Sequence, residues 1–170
     1  MRRSLMIALG ALLALVVAAP LAFAQSKGGS PEPIDDTPFV LDAMEEPIGA
    51  ACTFPVLVEP SGRTKEIDVP ERPGEEERTI TIFPAESYTL TNVNEPENTV
   101  TLNTTGAQHQ TTLENGDVVT VVTGLNLLGD PDAGFVLAKG NFSFVFNKDG
   151  NLIQPLEGEG QLTDVCELLS

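Results

Sequence analysis

Short runs of β-branched and aromatic residues, separated by turn residues, cover most of the chain and constrain its fold more than any other feature. In RTITIF (residues 78–83) Ile80 and Ile82 fall on one face, and in NFSFVF (residues 141–146) the three phenylalanines also share a face. Such period-two alternation, with turn sequences such as NEPEN and NKDGN close by, predicts β-strands. Because consecutive strands with short connections pair antiparallel, we predict one all-β domain over residues 51–170, an antiparallel β-sandwich or small β-barrel of meander hairpins.

The first 24 residues have the three parts of a secretory signal peptide in order. Arg2-Arg3 precedes an apolar run, Leu5–Ala18, and Ala22-Phe23-Ala24 forms an A-x-A cleavage site. A membrane anchor is the alternative, but the run is shorter than the roughly 20 residues that a spanning helix needs, and Pro20 interrupts it. We therefore expect cleavage after residue 24 and a secreted mature protein with no membrane span.

The chain is strongly acidic, with 9 basic and 25 acidic residues and a formal net charge of −16. Removal of the signal peptide, with its two arginines, would leave 7 basic and 25 acidic residues, a net charge of −18. Such a charge repels phosphate backbones and anionic membranes, so we expect no nucleic-acid partner. We interpret the acids mainly as a solvated surface, with cationic partners or loosely held cations as the alternative.

Two cysteines, Cys52 and Cys166, bracket nearly the whole domain. An even cysteine count in an exported protein predicts a disulfide, and closing a loop of about 100 residues contributes about 4–5 kcal/mol in the chain-entropy account. Metal ligation or a reactive thiol is the alternative, but the sequence places no histidine near either cysteine. We expect a structural disulfide that joins the ends of the domain, with no metal and no cofactor.

Residues 25–50 are rich in proline, glycine, serine and acids and show no sustained apolar period. This composition is typical of a flexible arm. Within the arm, PFVLDAM (residues 38–44) has enough apolar side chains to dock on the domain or on a partner. We interpret the segment as a tethered coil and keep docking as the alternative.

The lone histidine, His109, lies between two glutamines in TTGAQHQTTLENGDVVTVVTG (residues 104–124). Asn115-Gly116 predicts a two-residue type I′ hairpin turn, which places His109 opposite Val122 on a mainly apolar face and turns the flanking glutamines to the other face. Catalysis would require a nucleophile and an orienting acid within hydrogen-bond reach, and the sequence has no GxSxG motif. We therefore interpret His109 as a partly buried structural residue.

Two turns, GDPDAG (residues 129–134) and NKDGN (residues 147–151), offer oxygen atoms of the kind that calcium binds. Neither matches the calcium-loop pattern, because Leu152 stands where NKDGN would need a glycine and GDPDAG lacks a third ligand. We interpret both as hairpin turns.

The segment TGLNLLGDPDAG (residues 123–134) is predicted to be a loop and is unusually apolar for one. Its leucines, Leu125, Leu127 and Leu128, either close one end of the core or form a hydrophobic lip for an apolar ligand or a protein partner.

Three segments follow the predicted signal peptide: ACTFPVLVEPSG, TGAQHQTTLENGDVVTVVTGLNLLGD and GNFSFVFNKDGNLIQPLEGEGQLTDVCELLS. With these segments the chain resembles small exported bacterial all-β proteins of unassigned function. The resemblance covers residues 51–170, including both cysteines and the histidine. It implies export and an extracellular domain, and it implies no mechanism.

These patterns predict a secreted, monomeric, non-catalytic domain that binds an unknown extracellular protein or small ligand. Its candidate binding residues are His109, Leu125, Leu127 and Leu128. One alternative is a carrier that holds an apolar molecule in a barrel lumen, which a cavity opening near the three leucines would favour. The other is a hydrolase that uses His109 with a serine or threonine nucleophile, which an acid and a hydroxyl beside the imidazole would favour.

Overall fold

The computed structural model of the protein describes residues 29–43, 51–69 and 76–170. The predicted signal peptide, residues 25–28 and 44–50 of the predicted arm, and the loop residues 70–75 lie outside the described residues. The described chain consists mostly of β-strands and ends in a short helix. The elements are β1 (Glu32–Pro33), β2 (Phe39–Leu41), β3 (Val56–Ser61), β4 (Arg63–Val69), β5 (Glu77–Ile82), β6 (Ser87–Asn92), β7 (Thr99–Asn103), β8 (Gly106–Thr112), β9 (Val118–Asp130), β10 (Gly134–Phe146), β11 (Leu152–Asp164) and α1 (Val165–Leu168).

The strands form two antiparallel sheets. A seven-stranded sheet has the order β1-β4-β5-β8-β9-β10-β11, and a four-stranded sheet has the order β2-β3-β6-β7. Neither order returns to its first strand, so the sheets are not closed into a barrel. The all-β antiparallel prediction is confirmed, and of its two alternatives the sandwich agrees with the structure.

Four connections carry the chain from one sheet into the other. β1 leads into β2 through residues 34–38, β3 leads into β4 at Gly62, β5 leads into β6 through residues 83–86, and β7 leads into β8 through residues 104–105. Strand partners are kept across each change, since β3 pairs with β6 while β4 pairs with β5. The protein is therefore a meander of long hairpins that bend between two sheets.

Part of the predicted arm pairs with the domain. Residues 32–33 pair with β4, and residues 39–41 pair with β3, where Phe39 lies opposite Val58. The Phe39 and Leu41 side chains pack against the main apolar core. Of the two interpretations that the sequence left open, docking describes these residues.

The main apolar core lies between the four-stranded sheet, the halves of β9 and β10 nearest their shared turn, and the C-terminal helix. Its buried members are Cys52, Val56, Val58, Leu90, Leu102, Phe135, Val165 and Leu169. The predicted disulfide is confirmed and joins Cys52, just before β3, to Cys166 in α1 across 114 positions. Beside it, the Asn92 side-chain amide donates a hydrogen bond to the carbonyl oxygen of Leu169 at 3.1 Å. A covalent bond, apolar packing and a buried hydrogen bond thus hold the C-terminal helix in place.

A row of glycines crosses four neighbouring strands of the large sheet and allows it to curl. Each glycine is the cross-strand partner of the next, in the order Gly106, Gly124, Gly140 and Gly160. A Cβ atom on Gly140 would lie 2.3 Å from the carbonyl oxygen of Glu159, so a side chain does not fit there. The curl brings the turn after β9 back to β11, where Asp130 Oδ2 accepts a hydrogen bond from the Leu156 amide at 2.8 Å. It encloses a second apolar cluster, formed by Val122, Ala138 and Phe142.

The two turns considered as calcium loops use their side-chain oxygens within the turn. Asp130 Oδ1 accepts hydrogen bonds from two backbone amides of its own turn, both at 2.9 Å. Asn147 Oδ1 accepts two from its own turn, at 3.0 and 2.9 Å. Both segments are therefore hairpin turns stabilised by an Asx-type side chain, as predicted. Over the ranges that the structure describes, no three metal-ligating side chains cluster.

The bend between β5 and β6 buries the carboxyl group of Glu86, whose residue is 8% exposed. Thr104 Oγ1 donates a hydrogen bond to Glu86 Oε2 at 2.8 Å, and the Tyr88 hydroxyl donates one to Oε1 at 3.1 Å. Burial raises the pKa of Glu86 above its usual range, although both hydrogen bonds oppose the shift. Burial and the adjacent carboxylate also raise the pKa of Tyr88. The cluster ties together two of the points at which the chain changes sheet.

Replacing Glu86 by glutamine should stabilise the protein at neutral pH, because glutamine keeps the shape and removes a buried charge. A carboxyl group whose folded-state pKa is raised stabilises the fold fully below its unfolded pKa, and this contribution is lost as the pH rises through the folded pKa. We expect Glu86→Gln and the wild type to melt at similar temperatures below about pH 4 and the variant to melt higher at about pH 7. Thermal melts across this range measure the effect, with exposed Glu59→Gln as the control for net charge. A difference that does not change with pH would contradict it.

Candidate functional site

The β8–β9 hairpin decides which side chains share a face, and its turn is one residue longer than predicted. The Leu113 amide donates a hydrogen bond to the Asp117 carbonyl oxygen at 2.8 Å, and the Gly116 amide donates one to the Leu113 carbonyl oxygen at 2.8 Å. The loop is therefore Glu114-Asn115-Gly116, in which only Gly116 has a positive φ, 86°. Asn115 Oδ1 accepts a hydrogen bond from the Asp117 amide at 3.0 Å, which stabilises an Asx turn instead of the predicted type I′ turn.

The longer turn shifts the strand register by one residue, so the predicted register is wrong. His109 lies opposite Val121 and not opposite Val122. Gln108 lies opposite Val122, and Gln110 lies opposite Thr120. Because directly opposed side chains share a face, the two glutamines lie on the face that carries the second apolar cluster. The histidine and the glutamines are still on opposite faces. Val122, which the predicted register placed opposite His109, shares a face with the glutamines.

An open cleft of about 440 Å³ lies on this glutamine face, beside the β8–β9 and β10–β11 turns. Its volume is within the range of about 300–1,000 Å³ that is typical of small-ligand sites. Gln110, Thr120 and Phe144 are successive cross-strand neighbours across it. The residues that line it are Gln108, Gln110, Gly116, Val118, Thr120, Phe144, Phe146, Asn147, Lys148 and Gly150.

Thr120, on β9 in the cleft, differs from the other buried polar residues of the described chain in its hydrogen bonding. The buried polar residues of the described chain are Thr64, Glu86, Asn92, Thr104, Thr120, Asn126 and Asp130. The side chains of the other six each make a hydrogen bond within the described residues. The Thr120 hydroxyl makes none there, although the residue is only 1% exposed. A buried hydroxyl without a partner is unfavourable, so this group is suited to a ligand or a water molecule.

Aromatic rings form the opposite wall of the cleft. The Phe144 and Phe146 rings meet edge to face, with centroids 5.7 Å apart and planes at 87°. Phe144 lies opposite Thr120 and Phe146 lies opposite Val118, so the rings adjoin the floor that β9 provides. The two turns approach each other at one end, where a Cβ atom on Gly116 would lie 3.1 Å from the Lys148 Cβ atom. The cleft therefore combines an apolar wall with a row of uncharged hydrogen-bonding groups.

The predicted binding residue His109 lies on the other face of β8 from the cleft. Its cross-strand neighbours are Ile80 on β5 and Val121 on β9. The residue is half-buried, with Ala107 and Thr111 before and after it on the same face. The histidine therefore lies in a mainly apolar setting, and its structural role stays a prediction.

The three predicted leucines lie in a strand, and the loop prediction is wrong for residues 123–130. β9 continues to Asp130 because its backbone pairs with β10 along its whole length. Leu127 packs against the main core, and Leu128 packs against the second cluster. Leu125 is half-buried and lies opposite Lys139. None of the three lines the cleft. A role for these leucines or for His109 in binding stays a prediction.

The polar residues of the cleft were not predicted as binding residues. A two-residue turn would place Thr120 opposite Thr111, on the face of the histidine and away from Gln108 and Gln110. Once the turn length is known, the alternation in QHQ (residues 108–110) and in FSFVF (residues 142–146) predicts which side chains of β8 and β10 line the cleft.

No protein family matches the chain, and no curated protein or solved structure is significantly similar to it. No helix in the described part of the chain is long and apolar enough to span a membrane. What the cleft can bind must therefore be inferred from its own geometry and chemistry.

Replacing Thr120 by valine should leave the free energy of unfolding unchanged or raise it by up to about 1 kcal/mol, because no hydrogen bond is lost and a desolvated hydroxyl is removed. Valine has nearly the same shape and is well suited to a strand. The matched control is Thr104→Val, which is equally buried but loses the hydrogen bond to Glu86 and should be destabilised. Urea unfolding measures both variants, and equal destabilisation of the two would show that Thr120 has a partner after all.

Proposed function

We propose that this protein is a non-catalytic binding domain that holds a small ligand, or one group of a larger ligand, in the cleft beside the β8–β9 and β10–β11 turns. The observation that carries the proposal is Thr120, a buried residue of the cleft lining whose hydroxyl makes no hydrogen bond within the described residues. The half-buried Gln108 and Gln110 amides lie on the same face and add donors and acceptors. A bound polar group would satisfy the hydroxyl and the amides together.

The composition of the cleft supports binding over catalysis. Its lining consists of amides, a threonine hydroxyl, aromatic rings, glycines, a valine and one lysine. General acid–base chemistry at neutral pH is usually carried by histidine or carboxyl groups in contact with the substrate. The buried carboxyl group of Glu86 is held by Thr104 and Tyr88 at the bend between β5 and β6, a setting that suits a structural role.

Two other functions, an apolar carrier and a hydrolase, are the alternatives that the test must distinguish. A carrier of an apolar molecule would need an enclosed lumen that opens near Leu125–Leu128. The cleft is open, and none of these leucines lines it. A hydrolase would need a nucleophile and an acid at His109, whose cross-strand neighbours are Ile80 and Val121. Neither competitor accounts for the hydroxyl of Thr120.

The proposal places the domain outside the cytoplasm, as a monomer with an extracellular small molecule or protein as its partner. The predicted signal peptide and the Cys52–Cys166 disulfide support this location, since disulfides persist in oxidising compartments. The net charge of −16 supports a partner other than nucleic acid.

A fragment screen followed by amide chemical shifts in NMR would test the proposal. Uncharged fragments that carry a ring and hydroxyl or amide groups should shift the amides of residues 108–110, 118–120 and 144–148, because these segments border the cleft. Shifts confined to residues 125–128 would favour the apolar carrier, and shifts confined to the neighbours of His109 on its own face would favour the hydrolase. Either result would overturn the assignment of the cleft.

A further inference from the structure

We propose that the ligand of the cleft is a neutral saccharide, an inference that rests on the proposed binding function and adds the chemical class of the ligand. The first reason is the match of hydrogen-bonding groups. Each amide of Gln108 and Gln110 and the hydroxyl of Thr120 can both donate and accept. Sugar hydroxyls have the same dual capacity, so one sugar ring can pair with several of these groups without either side carrying a charge.

The second reason is the aromatic wall. A pyranose ring has an apolar face made of C–H groups, and such a face packs against aromatic rings. Phe144 and Phe146 meet at 87°, so together they present rings in two orientations to the cleft. The ligand can therefore place C–H groups against the phenylalanines and hydroxyls against β8 and β9.

Charge on the same sheet face favours a neutral sugar over an acidic one. Glu66 lies opposite Thr81, which lies opposite Gln108, and Asp68 lies opposite Thr79, which lies opposite Gln110. Two carboxylates thus stand two strands away from the glutamines on the cleft face. They are part of the net charge of −16, and negative charge near this face disfavours uronic acids and phosphorylated ligands. Lys148, exposed at the end of the cleft, is the one basic residue of the lining.

The strands of the cleft disfavour an extended peptide as the ligand. Peptides that bind sheets commonly add a strand to an exposed edge, where backbone groups are free. β8, β9 and β10 are interior strands, and each is paired on both sides. The cleft therefore offers side chains instead of a backbone ladder, which suits a ligand that carries its hydrogen-bonding groups on a ring.

The openness of the cleft indicates how the saccharide would sit. The space of about 440 Å³ is bounded by two turns at one end and is open to solvent. An apolar ligand would lose little water contact in such a site, whereas a sugar can leave part of its hydroxyls hydrated. The cleft can therefore hold one or two units of a longer chain.

NMR titration of the purified protein with defined probes would test this inference. The neutral probes are hexasaccharides of glucose, xylose and N-acetylglucosamine, and the comparison probes are an oligogalacturonate and a proline-rich decapeptide. We expect at least one neutral hexasaccharide to shift the amides of residues 108–110, 118–120 and 144–148 in a saturable manner. Thr120→Val should weaken that binding by roughly three- to tenfold, as expected for the loss of one hydrogen bond.

Thr111→Val is the matched control, because Thr111 lies in the same hairpin on the face of His109 and should leave the affinity unchanged. If the cleft amides respond only to the oligogalacturonate or the decapeptide, the saccharide inference is overturned while the binding function stands. If Thr120→Val and Thr111→Val affect neutral-sugar binding equally, the sugar does not use the Thr120 hydroxyl and the inference is overturned. If no probe of any class shifts the cleft amides, the saccharide inference is overturned, and the fragment screen then decides whether the cleft is a binding site.

Discussion

The register of the β8–β9 hairpin is the constraint on which the candidate site depends. A β-strand alternates its side chains between two faces, so a shift of one residue exchanges every side chain of a strand with those of the other face. In this protein the shift follows from a three-residue turn in which Gly116 has the positive φ and Asn115 makes an Asx bond to the next strand. That turn brings Thr120 onto the glutamine face and leaves the histidine with Val121. The placement of Thr120 beside the two glutamines follows from this turn.

A second constraint acts across the strands. The row of glycines removes four side chains from one line of the large sheet, and the sheet curls there. The curl encloses Val122, Ala138 and Phe142 as a core of their own, apart from the core beneath the disulfide. Val122 and Thr120 are neighbours on one face of β9, and Phe142 and Phe144 are neighbours on the same face of β10. This second core therefore supports the floor and wall of the cleft. The cleft thus lies beside this second core, at the end of the sheet away from the helix.

The all-β class, the antiparallel meander and the Cys52–Cys166 disulfide were predictable from the sequence, because alternation and cysteine pairing are local or compositional properties. The extent of β9 was not, because Gly124 and Asn126 are typical turn residues and only pairing with β10 keeps them in a strand. The docking of residues 39–41 was likewise open, since it depends on the edge that β3 offers. The cleft was not predicted because the sequence NG is compatible with a two-residue and a three-residue turn. The Asx bond of Asn115 stabilises the three-residue turn.

The register between β8 and β9 can be measured directly between pairs of backbone protons. Nuclear Overhauser contacts between backbone protons of β8 and β9 report directly which residues lie opposite each other. The structure requires contacts that pair Gln110 with Thr120 and His109 with Val121. Contacts that pair His109 with Val122 and Thr111 with Thr120 would instead place Thr120 on the histidine face. That result would separate the hydroxyl from the glutamines and contradict the proposed site.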